Sequence, residues 1–368
     1  MEITESYFLK IAKGFDLSGN IESIKLISNG NINSTFDVEI NTNGRIQRYV
    51  FQKMNVFVFK NPDQIMDNID RITSHIKKKI IAEGADPDGV MHFLHAQDGK
   101  NYHIFNDEFW RVSEYVKNSV TYNESSDLDL LRSAGYAFGH FQVMLSDFDA
   151  SSLYETIKDF HNTRRRYETF ISHVNEDPCG RVSEVWYEIE QIKNFAPQAL
   201  RLCDMLDEGK LPLRVTHNDT KINNVLFDAN TNQAKTVIDL DTVMPGLVAH
   251  DFGDAIRFAA STAAEDEPDI SKISLDMDKF CAFAEGFVNE LAPFITEEEI
   301  NTLALGAFVM TAELVIRFLD DYITGDKYFK TLYEGHNLVR TRAQLALALD
   351  MNKKLDQMTA AIQKIAKK

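Results

Sequence analysis

The chain changes character once, and that change limits what it can fold into. Up to about residue 117 apolar and polar residues alternate in short runs; beyond Val116 the pattern turns helical and returns to strand only over residues 213–241. The early runs 24–27, 35–40 and 49–52 are joined by "NGN" and "NTNG", which suit antiparallel hairpins. "VMHFLHAQDGKNYHIFNDEFWRVSEYV" alternates twice more around the turn "DGK". Between these runs, Ile65, Ile69, Ile72 and Ile76 recur at helical spacing behind an Asn61-Pro62 start, which predicts a helix across the sheet. A short amphipathic helix is expected over residues 3–14. The expectation is an α+β chain of two lobes. Residues 1–117 form a five-stranded antiparallel sheet with its helix, and residues 118–368 form a larger helical lobe interrupted by a hairpin.

Composition removes several classes. A formal net charge of -17 argues against nucleic-acid binding, which needs a basic face. No run of about 18 apolar residues appears and the start is acidic, so neither membrane insertion nor a signal peptide is expected, and a cytoplasmic location is. The three cysteines, Cys179, Cys203 and Cys281, lie far apart, which disfavours disulfides and zinc and leaves them as packing residues. Monomer and homodimer are both compatible with this composition.

The island holds "RVTHNDTKINNVLFD", in which His217, Asp219 and Asn224 stand as H-x-D-x-x-x-x-N with Lys221 inside the spacing. Phosphoryl transfer uses this arrangement: the Asp meets an acceptor hydroxyl and the Asn, one loop turn later, reaches a metal. Lys221 is expected at the phosphoryl oxygens. Fifteen residues after Asn224, "TVIDLDTVMPG" ends a strand in Asp239 and Asp241, and Asp239 is the natural carboxylate to hold Mg²⁺ against nucleotide phosphates. Turn formation alone would explain Asp and Asn here, but not His, Lys and a second acidic strand end. His217 is expected to fix the loop backbone. In "AHDFGDAIRF", Asp254 reads as a helix cap and Asp251 as a brace for the catalytic loop.

The phosphate cover is less marked. "SNGNINST" has one glycine and is no G-x-G-x-x-G loop, yet Asn31, Asn33 and Ser34 can present donors to phosphates. The strand "YVFQKM" should bring a side chain to the phosphates. Gln52 falls on the expected face, Lys53 reaches it only through a bulge, and both stay open. Asp67 and Asp70 are the nearest acids on the following helix.

With these residues in hand, the chain resembles the aminoglycoside phosphotransferase and choline kinase superfamily, which has a protein-kinase-like fold. More narrowly it resembles the N-acetylhexosamine 1-kinases. The blocks "GNINSTF", "QKMN", "RVTHNDTKINNVLFD", "IDLDTVMPG", "DFGDAIRF", "STAAEDE", "RFLDDYITGDKYF" and "HNLVR" carry the likeness in order over roughly residues 20–345. The resemblance implies transfer of the ATP γ-phosphoryl to the anomeric hydroxyl of GlcNAc or GalNAc. By position, Asp219 would take the hydroxyl proton, Asn224 and Asp239 would hold Mg²⁺, and Asp241 would lie beside the sugar with Asp219 and Asp239. Arg317 and Tyr328 would belong to the sugar pocket. Adenine would lie against residues 113–116, which include Glu114 and Val116. Read without the family, Glu313 and Arg317 are an i,i+4 ion pair on a solvated helix face. The alternatives are an aminoglycoside, choline or other amino-alcohol acceptor, and a kinase-shaped binding protein without catalysis.

Overall fold

The structure, a computed structural model, describes residues 4–27, 32–84 and 89–367. After α1 (Glu5–Gly14) come β1 (Asn20–Ile27), β2 (Ser34–Thr42) and β3 (Arg45–Lys53), then α2 (Pro62–Ala82), β4 (His103–Phe105) and β5 (Glu108–Glu114). The five strands form one antiparallel sheet in the order β1-β2-β3-β5-β4. Asn43 and Gly44 turn β2 into β3 with φ of 55° and 87°, the positive pair a two-residue hairpin requires.

Strand alternation sends Phe36, Val38, Ile40, Phe51, Trp110 and Val112 to one face, where Phe8 and Ile11 of α1 seal them into a small core. The helix lying across the sheet is therefore α1 rather than α2. The isoleucines of α2 join the large core of the second lobe instead, and Asn68 of α2 donates to the Val243 carbonyl at 3.0 Å. Each such buried isoleucine contributes about 2 kcal/mol.

The second lobe opens with β6 (Ser119–Val120) and α3 (Leu128–Met144), whose N-cap Asp127 accepts the Asp129 N-H at 2.9 Å. Then come α4 (Thr163–Glu176), α5 (Trp186–Ala199), α6 (Arg201–Asp207), β7 (Arg214–Thr216), β8 (Val225–Asp228), β9 (Ala234–Val237) and β10 (Met244–Gly246). β7 pairs with β10, and β8 pairs with both β6 and β9. The helices α7 (Val248–Ala259), α8 (Met277–Leu291), α9 (Glu297–Ile323), α10 (His336–Lys353) and α11 (Leu355–Ala366) complete the lobe.

α9 starts at a capping box, Thr296 with Glu299, and by length and composition could cross a membrane, which the sequence reading passed over. In the fold 89% of its most apolar window is buried inside the protein, so it is the central core helix. α7 reaches α9 through Gly253 and Gly306: a Cβ on Gly253 would stand 2.2 Å from the Gly306 carbonyl oxygen. The three cysteines are free, and Cys179 is exposed rather than packed.

Candidate active site

The loop between β7 and β8 is held from behind by α7. Asp251 accepts the His217 N-H at 2.8 Å, the Asn218 N-H at 2.7 Å and the Gln142 amide at 2.6 Å. Asp254 accepts the Thr220 N-H at 2.9 Å and an Arg257 N-H at 3.1 Å. Both acids therefore brace the loop. Asp254 lies in mid-helix and caps nothing, because α7 begins at Val248. Burial pushes the Asp251 carboxyl up, and its amide donors pull it back only in part.

His217 is fully buried. Its Nδ1 accepts the Asp219 N-H at 3.3 Å, so Nε2 carries the proton and donates to the Ile238 carbonyl at 2.9 Å. One imidazole thus ties the catalytic loop to the strand end that carries Asp239.

At the loop's front, the Asp219 carboxylate receives Lys221 Nζ at 2.9 Å and the Asn224 amide at 3.1 Å. Burial pulls the Lys221 ammonium down, but Asp219, Asp254 and Asp239 outweigh it and leave its pKa above the ordinary value. Asp239 sits in the left-handed region at φ 61°, before the short turn Leu240–Thr242 that its side chain does not cap. Loss of bulk water, then the nearby Asp241 and Asp219 carboxylates, push its pKa well above the usual carboxylate range.

Asp241 is buried, and both its oxygens are engaged: one takes Arg111 Nη1, the other the Asn33 amide at 2.7 Å.

The polar groups close one end of a cavity of about 350 Å³ between the lobes. Ile27 and Val50 form its roof, Leu226 and Ile238 its floor, and residues 113–116 one side. That is a flat apolar slot beside a strand edge, suited to a planar ring. Within the strand edge, the Glu114 N-H already donates to the His92 carbonyl at 3.0 Å and the Val116 carbonyl accepts Ser119 Oγ at 2.6 Å.

Strand parity separates the first-lobe candidates. The register runs Thr35, Gln52, Arg111 on the cleft face and Ser34, Lys53, Trp110 on the other, with β2 and β3 paired continuously and no bulge. Gln52 lines the cleft, its amide donating to Thr35 Oγ1 at 3.1 Å. Lys53 turns away onto Glu108 at 3.0 Å, so it cannot reach the cleft, and Ser34 shares its face. Asn33 lines the cleft, and Asn31 lies outside the described residues. Asp67 and Asp70 pair with Arg71 and His95, while Met66 is the α2 side chain beside Arg111. Sequence reasoning missed Arg111. Its signal, a lone Arg inside the apolar strand "FWRVS", points to a site only once the β3–β5 register is known.

A family model described as the phosphotransferase enzyme family matches residues 23–274. The chain belongs to the phosphotransferase enzyme family. Its fold is that of the small-molecule kinases. A microcompartment-associated aminopropanol kinase superposes with a TM-score of 0.63 at 16% identity, over 96% of this chain and 98% of its own. An aminoglycoside phosphotransferase from Alicyclobacillus acidocaldarius gives 0.63 at 12% identity, over 97% and 96%. A choline kinase from Cryptosporidium parvum gives 0.54 at 14% identity, over 100% and 95%.

On the phosphotransferase's α9, Glu313 and Arg317 do not form a solvated pair. Glu313 is buried and takes Thr163 Oγ1 at 2.7 Å, His161 Nδ1 at 3.2 Å and Arg166 Nε at 3.3 Å. Burial alone would raise its pKa, but the His161 hydrogen bond and the His161, Arg166 and Arg317 charges hold it at about 2. The Arg317 guanidinium lies 5.8 Å from the Tyr328 ring centre and 5.3 Å from that of Phe329. Tyr328 itself is exposed. One turn on, buried Asp321 accepts the N-H groups of Lys327, Tyr328 and Phe329 at 2.9, 2.8 and 2.9 Å, which fixes the loop carrying both rings. Arg317 also lines a second cavity of about 360 Å³ with Lys158, Asp159, Arg165, Arg166 and Asp320, where Arg165 pairs with Asp159 at 3.1 Å.

Proposed function

We propose that this phosphotransferase moves the γ-phosphoryl of ATP to the anomeric hydroxyl of an N-acetylhexosamine, GlcNAc or GalNAc. The observation that carries the reading is the meeting of Arg317 with Tyr328 and Phe329, because these residues belong to the blocks that resemble the sugar 1-kinases. The cavity that Arg317 lines sets four basic side chains, Lys158, Arg165, Arg166 and Arg317, against two carboxylates, Asp159 and Asp320, a balance that disfavours the ammonium groups of choline or an aminoglycoside. It suits hydroxyls and an amide carbonyl, which an Arg fork can count.

Asp219 takes the proton of the acceptor hydroxyl as its oxygen bonds to the γ-phosphorus. The bond from that phosphorus to the bridging oxygen breaks, and ADP leaves with the electron pair. Lys221 faces the transferring oxygens. The donors at hand fit Mg²⁺, since Asp239 and Asn224 supply hard oxygens. Among the described residues no three His, Cys, Asp or Glu side chains converge as a cage, which leaves room for phosphate and water ligands. Bound there, Mg²⁺ would neutralise charge on the phosphates. The first lobe through residue 117 supplies the roof and side of the adenine slot, and residues 118–368 supply its floor, the base and the acceptor pocket.

The test is ADP release with ATP, Mg²⁺ and a panel of GlcNAc, GalNAc, glucose, choline, aminopropanol and kanamycin, with phosphorus NMR locating the new ester. Turnover on the hexosamines at carbon 1 is expected. Preference for any amine on the panel would replace the reading.

A further inference from the structure

In the first lobe the last cleft-facing side chain of β3, Gln52, is neutral, and the lysine after it points to the other face. The charge has not gone; it stands one strand over. Arg111 on β5 is the register partner of Gln52 and lines the same cleft. It is 1% exposed, with Nε donating to Gln52 Oε1 at 2.9 Å and Nη1 to Asp241. A charged group this enclosed needs a reason, since desolvation costs several kcal/mol unless it is well paired.

Its pairing is incomplete. A guanidinium has five N-H donors. Among the described residues, Nε serves Gln52, Nη1 serves Asp241 and lies 3.7 Å from Met66 sulfur, and Nη2 has no partner. Arg111 lines the cavity that Asp219, Lys221 and Asp239 also line. The planar fork is held edgewise by Gln52 and face-on by Phe93, 5.4 Å from its centre.

We propose that Arg111 is the first-lobe residue that binds the nucleotide phosphates, its guanidinium replacing a β3 ammonium, with Gln52 orienting it and Asp241 as its counter-ion across the cleft. Arg and Lys are not equivalent in this role: the fork gives two parallel bonds to a phosphate, where an ammonium is a point charge. The pair with Asp241 also takes the place of an acid on α2, because Met66 occupies that side. Asp241 then serves the phosphate side of the cleft through Arg111.

The inference rests on the reading of the site as an ATP site, and nucleotide binding separates the two. Calorimetry would compare ATP, ADP and adenosine, with Mg²⁺, on the wild-type chain and on Arg111→Met, Arg111→Met/Asp241→Asn and Arg111→Met/Gln52→Lys. Loss of Arg111 is expected to weaken ADP and ATP at least tenfold while adenosine stays within about twofold. The Asp241→Asn double variant leaves no unpaired buried carboxylate, so it reports the same loss where the single variant folds poorly. Returning a cation to β3 with Gln52→Lys is expected to recover at least fivefold of ADP affinity. ADP and adenosine weakening together, or ADP unchanged in the folded variants, or no gain from Gln52→Lys, would overturn the assignment. A wild-type chain that binds no nucleotide would sink the ATP reading itself.

Discussion

Asp251 holds Asn218 by its backbone N-H at 2.7 Å while Asn218 sits at φ 63°, a left-handed conformation directly before the proposed base. The strain costs on the order of 1 kcal/mol, and the buried carboxylate is what sustains it. Asp251→Ala is expected to leave three buried donors unpaired, the His217 and Asn218 N-H groups and the Gln142 side-chain amide, lowering stability by about 2–4 kcal/mol and kcat by more than tenfold. Asp251→Asn, which keeps one acceptor oxygen, should fall between. Urea melts and steady-state rates at saturating substrate check both, and a variant with wild-type kcat would show that the brace is dispensable.

Asp219→Asn should preserve the melting temperature and cut kcat by about 10²–10⁴, because an amide cannot take the hydroxyl proton. Activity within threefold of wild type would remove Asp219 as base.

Arg317→Ala is expected to raise KM for the sugar at least tenfold with KM for ATP unchanged, since its contacts are to the Tyr328 loop and not to the interlobe cleft. A matched rise in both would place its role in the fold instead.

His250 supplies a pH signature. Burial first, then the His161 charge, lower its pKa from 6.5 to about 3, with Glu313 pulling weakly the other way. The unfolded chain binds this proton below about pH 6.5 and the folded chain does not, so stability is full above that pH and falls toward pH 3 by about 1.4 kcal/mol per unit. Replacing the group by His250→Leu should remove that slope. The stability gap between wild type and variant is then expected to shift by about 2 kcal/mol between pH 7 and pH 5, read from urea melts at each pH. Parallel curves would contradict it.

What was legible in the sequence follows the range of the interactions. The meeting of Asp219, Lys221, Asn224 and Asp239 in one cleft was readable because it is written in spacings of a few residues, as was the hairpin at Asn43-Gly44. The last hairpin was misplaced: it turns at Asn106-Asp107 between β4 and β5 and not at Asp98-Gly99-Lys100, since two residues at positive φ make the tighter turn. Arg111 was not readable, because its meaning depends on facing Gln52 from a strand 59 residues away. The burial of Glu313 depended likewise on His161 and Thr163, about 150 residues distant. Helix α2 misled because isoleucine spacing tells which face is buried but not against what. Asp254 misled because its short side chain before an apolar run resembles a cap, while the helix had begun six residues earlier.

The contact of Gly253 with Gly306 has a consequence for how such an enzyme can change. Gly306 anchors the helix that braces the loop of Asp219, whereas Arg317 stands eleven residues further along α9, about 16 Å down the axis, and Asp321 one turn beyond. One rigid rod therefore carries two jobs at separate stations. On the proposed function, substitutions in its last three turns would recast the acceptor a descendant chooses, while the loop proposed to activate the hydroxyl would stay registered to the other end.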